Sequence, residues 1–127
     1  MGFINDPRFD DSMAVHLERG RYLLDLHRYE LALKEFQAAI ALCPGDPDAL
    51  ALAAIALQQI DRLDEAMEMA VAAVGAAPDS DFLHYVHALV LCRRGLLVRS
   101  LAAIAEAMRI CPNNADWFAL KAEILCA

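Results

Sequence analysis

Apolar, Ala-rich runs follow one another along the chain, divided by two kinds of polar break. One kind is short and proline-free: "LHRYE", "QIDRLDE" and "RRGLLVR". The other carries a proline, as in "ALCPGDPDAL", "AAPDSDF" and "RICPNNADW". Runs of Ala, Leu, Ile and Met favour helices, because these residues lose little on entering one. Pro44, Pro78 and Pro112 cannot continue a helix, so each ends the run before it. Asp46, Asp79 or Ser80, and Asn114 follow, and each can accept a hydrogen bond from the first free amides of the next helix. The pattern predicts seven helices near 12–26, 29–42, 47–60, 63–76, 81–94, 97–110 and 115–126, and no strand.

The three prolines lie 34 residues apart, a period expected of stacked helical hairpins. Rows of 34 begin at Met13, Pro47, Asp81 and Ala115. One column then holds Gly20, Ala54, Ala88 and Ala122, a second Ala32, Ala66 and Ser100, and a third Ala39, Ala73 and Ala107. Small residues recur where two helix axes must approach closely. A fourth column, Leu23, Leu57, Leu91 and Leu125, fills the space beside them. The organisation expected is an N-terminal arm over 1–12 and one all-α domain over 13–127. Its repeats are 13–46, 47–80 and 81–114, with a last helix over 115–127.

Charge narrows the partners. A net charge of −7 argues against nucleic acid and against an anionic membrane surface, both of which call for clustered Lys and Arg. The charge is uneven. Residues 47–80 carry Arg62 against six acids, net −5, and residues 81–114 carry four Arg against Asp81 and Glu106, net +2. A partner surface is therefore expected to carry both signs. No uncharged run is long enough to span a bilayer, and the opening "MGFINDPRFDD" reads as a cytosolic start without a targeting segment. A cytoplasmic location is the expectation.

Little in the sequence suggests chemistry. Cys43, Cys92, Cys111 and Cys126 form no CxxC pair, and the expectation is reduced, half-buried thiols. His84 and His87 stand three apart but lack a third ligand; with His16 in the column of His84, structural histidines are expected and no metal. No nucleophile with a placed base and no Gly-rich phosphate loop is present, so neither an enzyme nor a cofactor is indicated.

The 34-residue unit, the small residue of each first helix, and "YELALKEFQAAIALCP" and "LDEAMEMAVAAVGAAP" closely resemble the tetratricopeptide repeat (TPR) family. Three full repeats over Met13 to Asn114 and the first helix of a fourth are covered. Ser100 departs from the usual Ala, Ala70 and Ile104 stand where Phe36 supplies the aromatic, and Gly95 alone keeps the turn glycine. The resemblance implies a right-handed superhelix whose first helices line a concave, partner-binding face. By register that face presents Ala14, Leu17, Arg21, Leu24 and Asp25, then Asp48, Ala51, Ile55, Gln58 and Gln59. Phe82, Tyr85, Leu89, Cys92 and Arg93 follow, then Asp116, Ala119 and Glu123.

An apolar floor of Leu17, Ile55, Phe82, Tyr85 and Leu89 with charged edges suits an amphipathic helix or an extended apolar peptide. The competing expectation is that these side chains pack on neighbouring helices or on Phe3, Ile4 and Phe9. Family members that grip a chaperone's C-terminal carboxylate use Lys, Asn and Arg here. Leu17, Arg21, Leu52, Phe82 and Val86 stand in those places, and of these Arg21 alone suits an anion. The expected function is thus non-enzymatic protein binding, in a domain free-standing or cut from a longer TPR protein. The alternatives are a self-assembling module or a small acidic secretion chaperone. Leu125 ends the chain in a column that elsewhere has a second helix against it. The segment 115–127 is therefore expected to be half of a fourth repeat, or to dock on another molecule, a second copy included, that covers Trp117, Phe118 or Leu125.

Overall fold

The structure, a computed structural model, describes residues 8–127. Seven helices follow in order: α1 (Arg8–Asp25), α2 (Tyr29–Leu42), α3 (Pro47–Gln59), α4 (Leu63–Ala76), α5 (Asp81–Arg93), α6 (Leu97–Ile110) and α7 (Ala115–Leu125). No strand occurs among the described residues. α2, α4 and α6 have the bounds predicted from the pattern. α1 starts at Arg8, four residues before its expected place. Phe3 and Ile4 lie outside the described residues, as does the side chain of Phe9.

Each first helix ends one residue short of its expected place, and the cause is common to all three. His27 (φ 60°), Asp61 (φ 68°) and Gly95 (φ 81°) take up the left-handed conformation at the same turn position. Two hydrogen bonds then close each helix end. Arg28, Arg62 and Leu96 donate to the carbonyls of Leu23, Leu57 and Leu91, and the left-handed residues donate to Leu24, Gln58 and Cys92. This is the Schellman arrangement, which satisfies carbonyls that the helix leaves free.

The proline joins are less uniform. Asp46 accepts the amide of Ala49 at 2.9 Å with Pro47 in the first turn, and Asn114 accepts that of Asp116 at 2.8 Å. The second join departs from expectation: Ser80 caps α5 without a side-chain bond. Instead Asp81 takes the amide of Phe82, and His84 Nε2 donates to the carbonyl of Pro78 at 2.7 Å.

Packing follows the columns. α1 lies on α2, α3 on α4 and α5 on α6, and neighbouring repeats meet through α2 with α3, α4 with α5 and α6 with α7. The first helices also touch one another, α1 with α3, α3 with α5 and α5 with α7, whereas α2 and α4, and α4 and α6, do not meet. That asymmetry curls the stack, with the first helices on the inside.

The small residues sit where the axes close. A Cβ on Gly20 would fall 2.2 Å from the Phe36 ring, so only glycine admits that ring. At the third repeat Ser100 replaces Ala32 and Ala66 without penalty, because its hydroxyl donates to the Ala88 carbonyl at 2.6 Å. The buried residues form two clusters. The first holds Leu33, Phe36, Leu50, Leu57, Leu83 and Val90; the second holds Leu91, Ile104, Trp117, Leu120 and Ile124. Tyr85 and Met67 pack against both.

Candidate functional site

The residues expected on the inner face by the 34-residue register come from α1, α3, α5 and α7. Leu17, Leu24, Ile55, Phe82 and Tyr85 are half-buried, leaning on the first cluster while keeping part of their surface open. Leu89 and Cys92 do the same on the second. Arg21, Asp48, Arg93 and Glu123 are exposed.

Two of the residues expected on this face are inside it. Ala51 is 0% and Gln58 2% exposed, because the concave curl drives the middle repeat's first helix against both neighbours. Neither presents surface to a partner. Gln58 Oε1 also has no hydrogen-bond partner. Of the places matching the family's carboxylate grip, Leu52 and Val86 are buried too, at 6% and 0%.

Some of the expected residues gather at the two ends of the stack. At the N-terminal end Ala14, Val15, Leu17, Glu18 and Arg21 line a shallow hollow of about 460 Å³. At the C-terminal end Tyr85 stacks at a tilt on Trp117, with ring centroids 4.7 Å apart. Burial raises the Tyr85 hydroxyl above the ordinary phenol range, and the charges of Asp116 and Glu123 add to it. Burial and Glu123 likewise raise the Cys92 thiol, against the opposing charge of Arg93. Arg93 is tied to Asp61 at 3.4 Å and Arg94 to Asp64, so the turn of the second repeat is laced to that of the third.

Trp117 differs from expectation. It is 4% exposed, so it needs no outside cover, and it lies in the second cluster against Tyr85. Its column is Val15, Ala49 and Leu83; the two inner members are buried and Val15, in the first repeat, is exposed, so the column pointed to burial only in part. Phe118 and Leu125, by contrast, are 51% and 63% exposed.

A second hollow, of about 350 Å³, lies between α4, α5 and α6 and is lined by Val74, His84, His87, Leu91, Arg99 and Glu106, among others. Burial lowers the pKa of His87 below the ordinary imidazole value, with Arg99 and His84 adding to the effect. Among the described residues no three His, Cys, Asp or Glu side chains are placed to share a metal, the four cysteines are free, and no helix is long and apolar enough to cross a membrane.

A sequence profile of the tetratricopeptide repeat matches residues 23–90, more than half of the chain. The chain belongs to the tetratricopeptide repeat family. Among curated proteins it is similar to Protein FlbA of Caulobacter vibrioides, 32% identical over 103 residues. That alignment takes in 81% of this chain and 17% of FlbA, so the TPR chain spans about a sixth of the length of that relative.

Two solved structures place the TPR stack among known folds. The O-GlcNAc transferase of Thermobaculum terrenum superposes with a TM-score of 0.89 at 16% identity, covering 93% of this chain and 23% of that one. The first TPR of Spaghetti (RPAP3), bound to an HSP90 peptide SRMEEVD, superposes with a TM-score of 0.82 at 15% identity, covering 91% and 92%. At these identities the likeness is one of fold.

Proposed function

We propose that the chain is a non-enzymatic protein-interaction module that receives an amphipathic helix or an apolar peptide of a partner on its concave face. The observation that carries the reading is the row of half-buried apolar side chains there: Leu17, Leu24, Ile55, Phe82, Tyr85 and Leu89. Their inner sides are fixed by the core and their outer sides are open, so they offer a preformed apolar surface with little left to order on binding. Arg21, Asp48, Arg93 and Glu123 form a charged rim around it. Ala51 and Gln58 stand beneath the surface rather than on it.

The peptide in the RPAP3 structure, SRMEEVD, is acidic. This face is poorly suited to such a tail, since Leu17, Leu52, Phe82 and Val86 stand where cations and amides would be needed. The proposed partner therefore engages the apolar floor first.

Selection of displayed peptides on the purified chain tests this. Enriched peptides are expected to carry apolar residues at helical spacing, and Tyr85→Ala is expected to weaken them by about 2 kcal/mol, as loss of a buried anchor does. Added salt is expected to matter less. Affinity that collapses with salt while Tyr85→Ala is neutral would assign recognition to the rim and sink the groove reading.

A second reading, self-association through α7, is favoured by one observation. Leu125 is 63% exposed in a column where Leu57 and Leu91 are 2% and 1% exposed.

A further inference from the structure

The inner face carries more acid than base. Asp25, Asp48, Asp116 and Glu123 stand on it against Arg21 and Arg93, and Arg93 is already engaged with Asp61. The imbalance is sharpest at the C-terminal end. Asp116 and Glu123 are seven residues apart on α7, two helical turns, which sets them on the same side of the helix about 10 Å apart. Both are exposed, and both act on the Tyr85 hydroxyl, so the two carboxylates and the half-buried phenol border one patch of the floor.

We propose that the partner of this groove is a cationic amphipathic segment, whose apolar face lies on Phe82, Tyr85 and Leu89 and whose Lys or Arg side chains meet Asp116 and Glu123. The inference rests on the groove reading above and adds the sign of the partner's charge. Basic side chains suit the site for two reasons. Their long apolar stems can lie along the Tyr85 ring while their charged heads reach the carboxylates. The carboxylates are exposed in the free chain, and a segment seated on Tyr85 covers them in part, so an opposite charge gains as water is displaced. An acidic segment meets the reverse: like charges brought together on a partly desolvated floor.

The test uses the full chain and two designed sixteen-residue amphipathic peptides with one common apolar face, whose polar positions are all Lys in one and all Glu in the other. Emission from Trp117, the sole tryptophan and in contact with Tyr85, reports binding. The Lys peptide is expected to bind at least tenfold more tightly than the Glu peptide at physiological salt. The double substitution Asp116→Asn/Glu123→Gln is expected to remove most of that preference. Glu30→Gln/Glu68→Gln, which takes the same charge from α2 and α4, is expected to leave it in place, and circular dichroism confirms that each variant folds. Equal binding of the two peptides, or a preference that survives Asp116→Asn/Glu123→Gln, overturns the charge assignment. If Tyr85→Ala still weakens both peptides in that case, the groove reading stands without it. Binding of neither peptide overturns the groove reading, and the inference falls with it.

Discussion

His27, Asp61 and Gly95 share one turn position and one left-handed backbone, yet only the last is a glycine. A side chain in that conformation costs about 1–2 kcal/mol, less for Asp, whose carboxylate bonds locally. His27→Gly is therefore expected to stabilise the fold by about 0.5–1 kcal/mol and Gly95→Ala to destabilise it by about 1 kcal/mol, both read from denaturant midpoints. The same change at Asp61 gains less, because it also removes the Arg93 pair. Ala88 tests the small column instead. It is fully buried and its carbonyl takes the Ser100 hydroxyl, so Ala88→Leu is expected to cost about 1–3 kcal/mol by forcing α5 and α6 apart. An unchanged melting temperature would remove that position from the close-packed set. His87 gives a pH dependence. The folded chain holds its proton less tightly than the unfolded chain, whose imidazole titrates near 6.5. Stability is thus complete above that value and declines as pH falls through it, until the folded imidazole is itself protonated. Melting at pH 5.5 is expected below that at pH 7.5, and His87→Gln is expected to narrow the gap. Glu65 and Glu106, held low by Arg62 and Arg109, lose their contributions only in the more acid range below 4.5.

At the scale of the element, what a single sequence discloses follows from what repeats. α2, α4 and α6 lie where the pattern puts them because proline ends each one, and proline leaves the backbone little choice. The first helices each end a residue early because the left-handed turn was legible only at Gly95; His27 and Asp61 carry no mark of it. The start of α1 was missed for a related reason, since it precedes the first row of the period and has no column to compare with. On the inner face, register identified which residues point inward but not how deep they sit. Ala51 and Gln58 share columns with exposed or half-buried residues, and only the crowding of α3 between α1 and α5 takes them out of reach. Trp117 differs in the opposite sense: the lack of a second helix against α7 suggests a need for cover that Tyr85 and the second cluster already supply.

For the whole molecule, α7 raises the question of assembly. Trp117, Leu120 and Ile124 face the stack, while Phe118 and Leu125 face away from it. If that outer stripe joins two copies, sedimentation over a wide concentration range is expected to show a reversible heavier species, and Leu125→Glu is expected to abolish it. A strictly monomeric chain whose stability ignores the substitution would retire this reading.

Tyr85 leans on both buried clusters while part of its surface stays open. In a stack of this kind stability is shared only between neighbours, so the two ends are free to open in separate steps. A ligand pressed on Tyr85 is stabilising to both clusters at once, and it makes their opening a single event. Amide hydrogen exchange would register this as slower exchange in α7 and α3 together upon peptide binding, at rates that converge although the two helices do not touch.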